Sequence, residues 1–93
     1  MSNNTSPMTE RIAANIARVM VRRRMSLPRL AERSLFDRGR VEAIVAGATE
    51  PGVDEIFLLA GALEVEPAVL IEGIAWVPDG RGGGAYRFRA RGD

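Results

Sequence analysis

Cysteine, histidine and lysine are all missing from these 93 residues. Without cysteine there is no disulfide and no thiolate metal site, and without histidine the commonest general base and the commonest zinc ligand are gone too. Enzymatic readings therefore start from a poor supply of chemistry, and no catalytic residue, metal or cofactor is expected. Aromatic residues are few, at 5%. No apolar run approaches the roughly 20 residues of a membrane helix. The opening stretch MSNNTSPMTE has neither the basic flank nor the apolar segment of a signal peptide. A soluble, cytoplasmic protein with no membrane partner is the expectation.

What is present fits a single domain, since 46% apolar content in a chain of this length fills one small core. Net charge is only +1, but its distribution is uneven. Residues 11–40 carry nine arginines against Glu32 and Asp37, whereas residues 41–80 carry eight acids and no base. The last thirteen residues are basic again, with four arginines against Asp93. One face drawn to a polyanion and another that is acidic would produce this split, and so would charge pairing within the chain. That every base is arginine suits phosphates and guanine edges, and also follows from GC-rich coding.

Read in order, residues 1–8 are small and polar and form a flexible N-terminus. From about Thr9 the spacing Ile12, Ile16, Val19, Met20 with Ala13 and Ala17 predicts a first helix ending near Arg23. Arg22, Arg23 and Arg24 sit where a helix dipole favours cations, and can equally touch phosphate. Ser26 caps a second helix that starts with Leu27 and Pro28 and turns Leu30 and Ala31 inward. After the interruption at Leu35 and Phe36, Asp37 caps a third helix from about Arg38 to Ala46, closed by Gly47. This helix shows Arg38, Gly39, Arg40, Glu42 and Ala43 outward while Val41, Ile44 and Val45 point in. Two short helices with a tight break between them, the second with such an outer face, are the plan of a DNA-reading helix-turn-helix.

A fourth helix is expected over Val53 to Leu63, its apolar face made by Val53, Ile56, Phe57, Leu59, Ala60 and Leu63. Asp54 and Glu55 fit its first turn better than acid–base machinery. A fifth runs from Pro67 to about Glu72, with Val69, Leu70 and Ile71 inward, and Gly73 ends it. Alternation then predicts a hairpin over 74–93, its strands Ile74–Pro78 and Ala85–Arg89 around a glycine-rich turn. No lysine and no helix accompany that turn, so it does not read as a nucleotide loop. An isolated hairpin is marginal in water. With Ile74, Trp76, Tyr86 and Phe88 to bury, a dimer contact is the favoured reading, and a flap over its own helices or a glycine-rich tail is the alternative.

Five short helices with a helix-turn-helix at the second and third resemble the lambda-repressor-like domains (Cro-type, XRE family) of phage and bacterial regulators. Leu30-Ala31, Val41, Ile44, Gly47, Pro51, Leu59-Ala60, Ala62-Leu63, Val65 and Leu70 match that family in an ungapped register over residues 10–72. The resemblance implies an all-α, five-helix fold over residues 9–73, with the β-hairpin as an extension. The chain departs from the family at Arg24 and Leu35, which stand where it often has glycine, so both turns need other means. A familiar arginine–glutamate pair is also replaced, by Met20 and Val45. Replacing both partners of a buried ion pair with apolar groups is neutral or stabilising, whereas losing one is costly, so the double replacement supports the register.

By the same resemblance, Arg38, Gly39, Glu42 and Ala43 meet base edges and Arg40 lies near phosphate or base. Arg38 suits guanine and Glu42 suits cytosine N4. Of the phosphate-holding positions Leu27, Arg29, Ala48, Thr49 and Glu50, only Arg29, Thr49 and backbone N–H groups are donors. The implied function is a nucleoid-associated transcription regulator, a repressor, that binds palindromic double-stranded DNA as a homodimer. The rival is a protein-interaction module on the same fold, an antitoxin or accessory regulator, using its acidic helices and aromatic hairpin on a protein partner.

Overall fold

Helix starts in this chain are set by residues that close the first turn. Ser6 accepts the Thr9 N–H at 3.1 Å, Ser26 that of Arg29 at 3.3 Å and Asp37 that of Arg40 at 2.9 Å, each pairing an N–H that the helix itself leaves free. The computed structural model describes residues 6–78 and 80–88, with side chains described for 6–74 and 80–84. It gives α1 (Pro7–Arg23), α2 (Leu27–Ser34), α3 (Arg38–Val45), α4 (Val53–Leu63) and α5 (Pro67–Leu70). Beyond α5, β1 (Ile74–Pro78) and β2 (Gly84–Phe88) pair antiparallel, Ile74 opposite Phe88 and Trp76 opposite Tyr86.

α1 starts two residues before Thr9, because Ser6 caps it and Pro7 suits a first helical position. Of the expected flexible N-terminus, residues 1–5 lie outside the described residues. The start of α2 and both ends of α4 coincide with expectation, and α3 stops one residue early. α5 is shorter than read, ending at Leu70 rather than Glu72. The reason lies in α1: the Asn15 side-chain amide donates to the carbonyls of Leu70 and Glu72, both at 3.0 Å, and that end of the chain follows Asn15 instead of a further helical turn.

The turns after α1 and α2 need no glycine. Arg24 and Leu35 take the left-handed conformation themselves, at φ 54° and 66°, and Glu64 does the same after α4 at 60°. Left-handed backbone costs an L-residue about 1–2 kcal/mol, and Leu35 is 85% exposed, so its side chain offsets little of that. Leu35→Gly is expected to raise the unfolding free energy by about 0.5–1 kcal/mol, less than the full strain because glycine also loosens the unfolded chain. A urea midpoint that rises at constant slope is the check; a fall would mean that Leu35 makes a compensating contact.

Ile12, Ile16 and Val19 of α1, Leu30 and Ala31 of α2, Val41 and Ile44 of α3, Leu59, Ala60, Ala62 and Leu63 of α4 and Leu70 of α5 form one core. α1 packs on α3, α4 and α5, and α2 packs on α3 and α4. Met20 and Val45, the apolar substitutes for an ion pair, both pack against this core. The apolar face of α4 divides: Leu59, Ala60 and Leu63 are buried, while Val53 and Phe57 remain 65% and 59% exposed.

Candidate nucleic-acid interface

The break between α2 and α3 is made by Ser34 to Asp37. The buried Ser34 hydroxyl donates to the Ala31 carbonyl at 3.2 Å, Leu35 turns the chain left-handed, and Phe36 packs against the core. Asp37 then caps α3. With Val41 and Ile44 buried, Arg38, Gly39 and Glu42 stand exposed on the opposite side and Ala43 is half-buried beside them. Arg29 is exposed in the first turn of α2. Gly39 has a local role: a Cβ there would lie 3.0 Å from Asp37 Oδ2, so the missing side chain leaves the capping carboxylate its place.

The two arginines of α3 are held in unlike ways. Arg38 Nε donates to Glu42 Oε2 at 2.9 Å, one turn along the same helix, with the side chains 61% and 45% exposed. Such a pair stabilises a helix by about 0.2–0.5 kcal/mol. Arg40 instead forks onto Glu55 of α4, Nε to Oε2 at 2.6 Å and Nη2 to Oε1 at 2.8 Å. Its Nη1 also donates to the Thr49 hydroxyl and its Nη2 to the Glu50 carbonyl, each at 3.1 Å. Glu55 Oε1 takes the Gly52 N–H as well, at 2.8 Å. Thus Arg40 and Thr49, both expected to face DNA, meet each other, as do Arg38 and Glu42.

Glu55 was legible only as a first-turn acid of α4. Its capping bond to Gly52 has a local signal, a glutamate three residues after the cap position; its bond to Arg40 has none. The Arg40 hydrogen bonds, with help from the Gly52 N–H and the Arg40 charge, hold the Glu55 carboxyl below the usual carboxylate range against the opposing effect of burial. A group whose pKa is depressed by folding stabilises the fold fully above its unfolded value, about 4.3 for glutamate, and loses that contribution as pH falls through the folded value. The gap in urea midpoint between the wild type and Glu55→Gln is therefore expected to be widest near neutrality and to close in acid. A gap independent of pH would overturn the assignment.

Basic and acidic halves meet elsewhere too. Arg33 pairs with Glu64 at 3.1 Å and Arg18 with Glu72 at 3.5 Å, and Arg23 donates to the Glu64 carbonyl at 3.0 Å. Exposed pairs of this kind stabilise little, but they show that part of the charge split is answered within the chain. Of the residues expected at a dimer contact, Ile74 packs against the core. The side chains of Trp76, Tyr86 and Phe88 lie outside the described residues. Among the described residues, no helix is long and apolar enough to cross a membrane.

This arrangement of five helices, with a capped pair at the second and third, is the lambda-repressor-like helix-turn-helix fold. The chain is similar in structure to a point variant of the restriction-modification controller protein C.Esp1396I, with a TM-score of 0.67 and 22% identity over 73% of this chain and 86% of that one. No family model matches the chain, and no curated protein matches it.

Proposed function

We propose that this protein is a sequence-specific DNA-binding transcription regulator that represses by occupying a palindromic site as a homodimer. The observation that carries the reading is the outer face of α3, where Arg38, Gly39, Glu42 and Ala43 lie together on the side away from the buried Val41 and Ile44. A helix of this kind enters the major groove, and two copies would address half-sites about 34 Å apart. Arg29, Thr49 and backbone N–H groups are the phosphate donors of this reading, and Arg40 stands at its edge. The structural likeness to a restriction-modification controller protein supports a regulatory role. The exposed Val53 and Phe57 of α4 border an apolar groove formed with Met8, Ile12, Ile56, Ile71 and Ile74. That strip leads to the start of the hairpin and supports the 74–93 extension as a dimer element.

Selection of bound sequences from a random duplex library at two salt concentrations is the test. A palindromic motif with half-sites one helical turn apart is the expected result. Enrichment of nothing, with binding that vanishes as salt rises, would leave charge attraction alone. A second reading, a protein-interaction module of antitoxin or accessory-regulator type, draws on one observation. The loop after α3 presents Ala48, Thr49 and Glu50 without a base of its own, and its hydroxyl is already bonded to Arg40. A stoichiometric protein partner with no DNA affinity at low salt would select that reading.

A further inference from the structure

The family resemblance assigns both Arg38 and Arg40 to the nucleic acid. Here the geometry divides them. Resting on the DNA reading above, we infer that Arg40 is a positioning residue that makes no contact with DNA, and that Arg40 and Glu55 together fix the angle at which α3 is presented.

Four hydrogen bonds from one guanidinium tie three separate pieces of chain. Two reach Glu55 in the first turn of α4, one reaches the Thr49 hydroxyl and one the Glu50 carbonyl. Glu55 extends the tie to the Gly52 N–H, so the whole connection from α3 to α4 is pinned to the first turn of α3. Apart from this tie, α3 is eight residues long and is seated by Val41 and Ile44 alone among its fully buried side chains. With the half-buried Val45 these contacts hold α3 from its inner side and toward its C-terminal end, and the fork, 15 residues along the chain, adds a separate tie from its first turn to α4.

The same bonds remove Arg40 from the pool of phosphate donors. Its charge is met by Glu55 through a bidentate pair, the strong geometry for guanidinium and carboxylate, and the side chains are only 38% and 22% exposed. A phosphate that drew Arg40 away would leave Glu55 without its partner beside a polyanion. Among the described residues Arg38 has no such tie: its side chain bonds Glu42 on the same helix, and opening that bond moves no element against another. Arg38 is the reader and Arg40 the positioner. Lysine cannot replace arginine in this role, because a point charge reaches Glu55 but cannot fork onto it while also bonding Thr49 and Glu50.

The experiment compares the full-length wild type with Arg40→Gln, Arg40→Lys, Glu55→Gln and the Arg40→Gln/Glu55→Gln double variant. Affinity for the selected operator, base preference and salt slope are measured, with urea unfolding run in parallel. Each single variant is expected to weaken binding about tenfold, roughly 1.4 kcal/mol. The double variant should be no weaker than either, with base preferences and salt slope unchanged and Arg40→Lys as weak as Arg40→Gln. If Arg40→Gln lowers the salt slope by about one phosphate contact while Glu55→Gln binds as well as the wild type or better, Arg40 is a phosphate donor and the inference is overturned. A changed base preference in Arg40→Gln alone overturns it equally. Failure of the DNA reading appears separately, in a wild type that enriches no sequence. The tie is then judged by the urea cycle, where additive losses from the two single changes would overturn it.

Discussion

Asn15→Ala is expected to lower the unfolding free energy by about 2–4 kcal/mol, a large share of the roughly 5–15 kcal/mol that holds a small domain together. Asn15 is fully buried within the apolar side of α1. Both hydrogens of its amide are spent on the Leu70 and Glu72 carbonyls, and its oxygen accepts from Arg18 Nη2 at 3.0 Å. Alanine would leave the Leu70 carbonyl buried without a partner, which costs about 1–3 kcal/mol, and would weaken the second carbonyl and the packing as well. Asn15→Leu restores volume but no donor, so it should remain clearly less stable than the wild type. Amide exchange at residues 70–74 should accelerate before the rest of the chain opens, because these residues depend on Asn15 for their course. A loss below about 0.5 kcal/mol in both variants would mean that other donors serve these carbonyls.

Asn15 also marks where sequence reasoning stops. The stripe Ile12, Ile16, Val19 was legible because helical period is a local signal, and Ser26, Asp37 and Gly47 bounded their helices for the same reason. The asparagine beside that stripe carries no local sign of what it bonds, because its partners lie 55 and 57 residues away, at and just past the end of α5. Nothing local marks such a pairing. The resemblance placed turns at Arg24 and Leu35, but their left-handed conformation, and that of Glu64, was illegible for a different reason. Glycine is the residue that advertises this conformation, and the chain adopts it without glycine, held by the helices on either side.

The candidate interface divides along the same line. Which residues of α3 lie outward followed from the burial of Val41 and Ile44, a matter of period. Where each guanidinium goes did not follow, because Arg38 and Arg40 look alike in the sequence. One meets an acid a turn away and the other an acid brought close only by the loop between α3 and α4. The apolar face expected on α4 was real in sequence, yet Val53 and Phe57 stay largely exposed at the border of an apolar groove.

Arg38→Ala is the variant that bears most directly on the proposed reading of DNA by α3. Its exposed pair with Glu42 is weak enough to open at little cost, and the freed guanidinium presents two parallel donors that match guanine O6 and N7. One such bidentate contact discriminates its base pair by about 1–3 kcal/mol, so Arg38→Ala should weaken binding roughly tenfold to a hundredfold at the preferred operator. It should also flatten the preference at one position of each half-site while sparing the others. Arg38→Lys separates charge from geometry: it keeps the attraction to the duplex but loses the fork, and should show the same flattened position with a smaller loss of affinity. Glu42 sharpens the test. Left unpaired in Arg38→Ala, it becomes a free carboxylate against the groove, so Arg38→Ala/Glu42→Ala should recover part of the affinity without recovering the lost preference. An operator motif unchanged in Arg38→Ala would remove Arg38 from the reading face and leave Glu42 and Ala43 to account for any sequence preference.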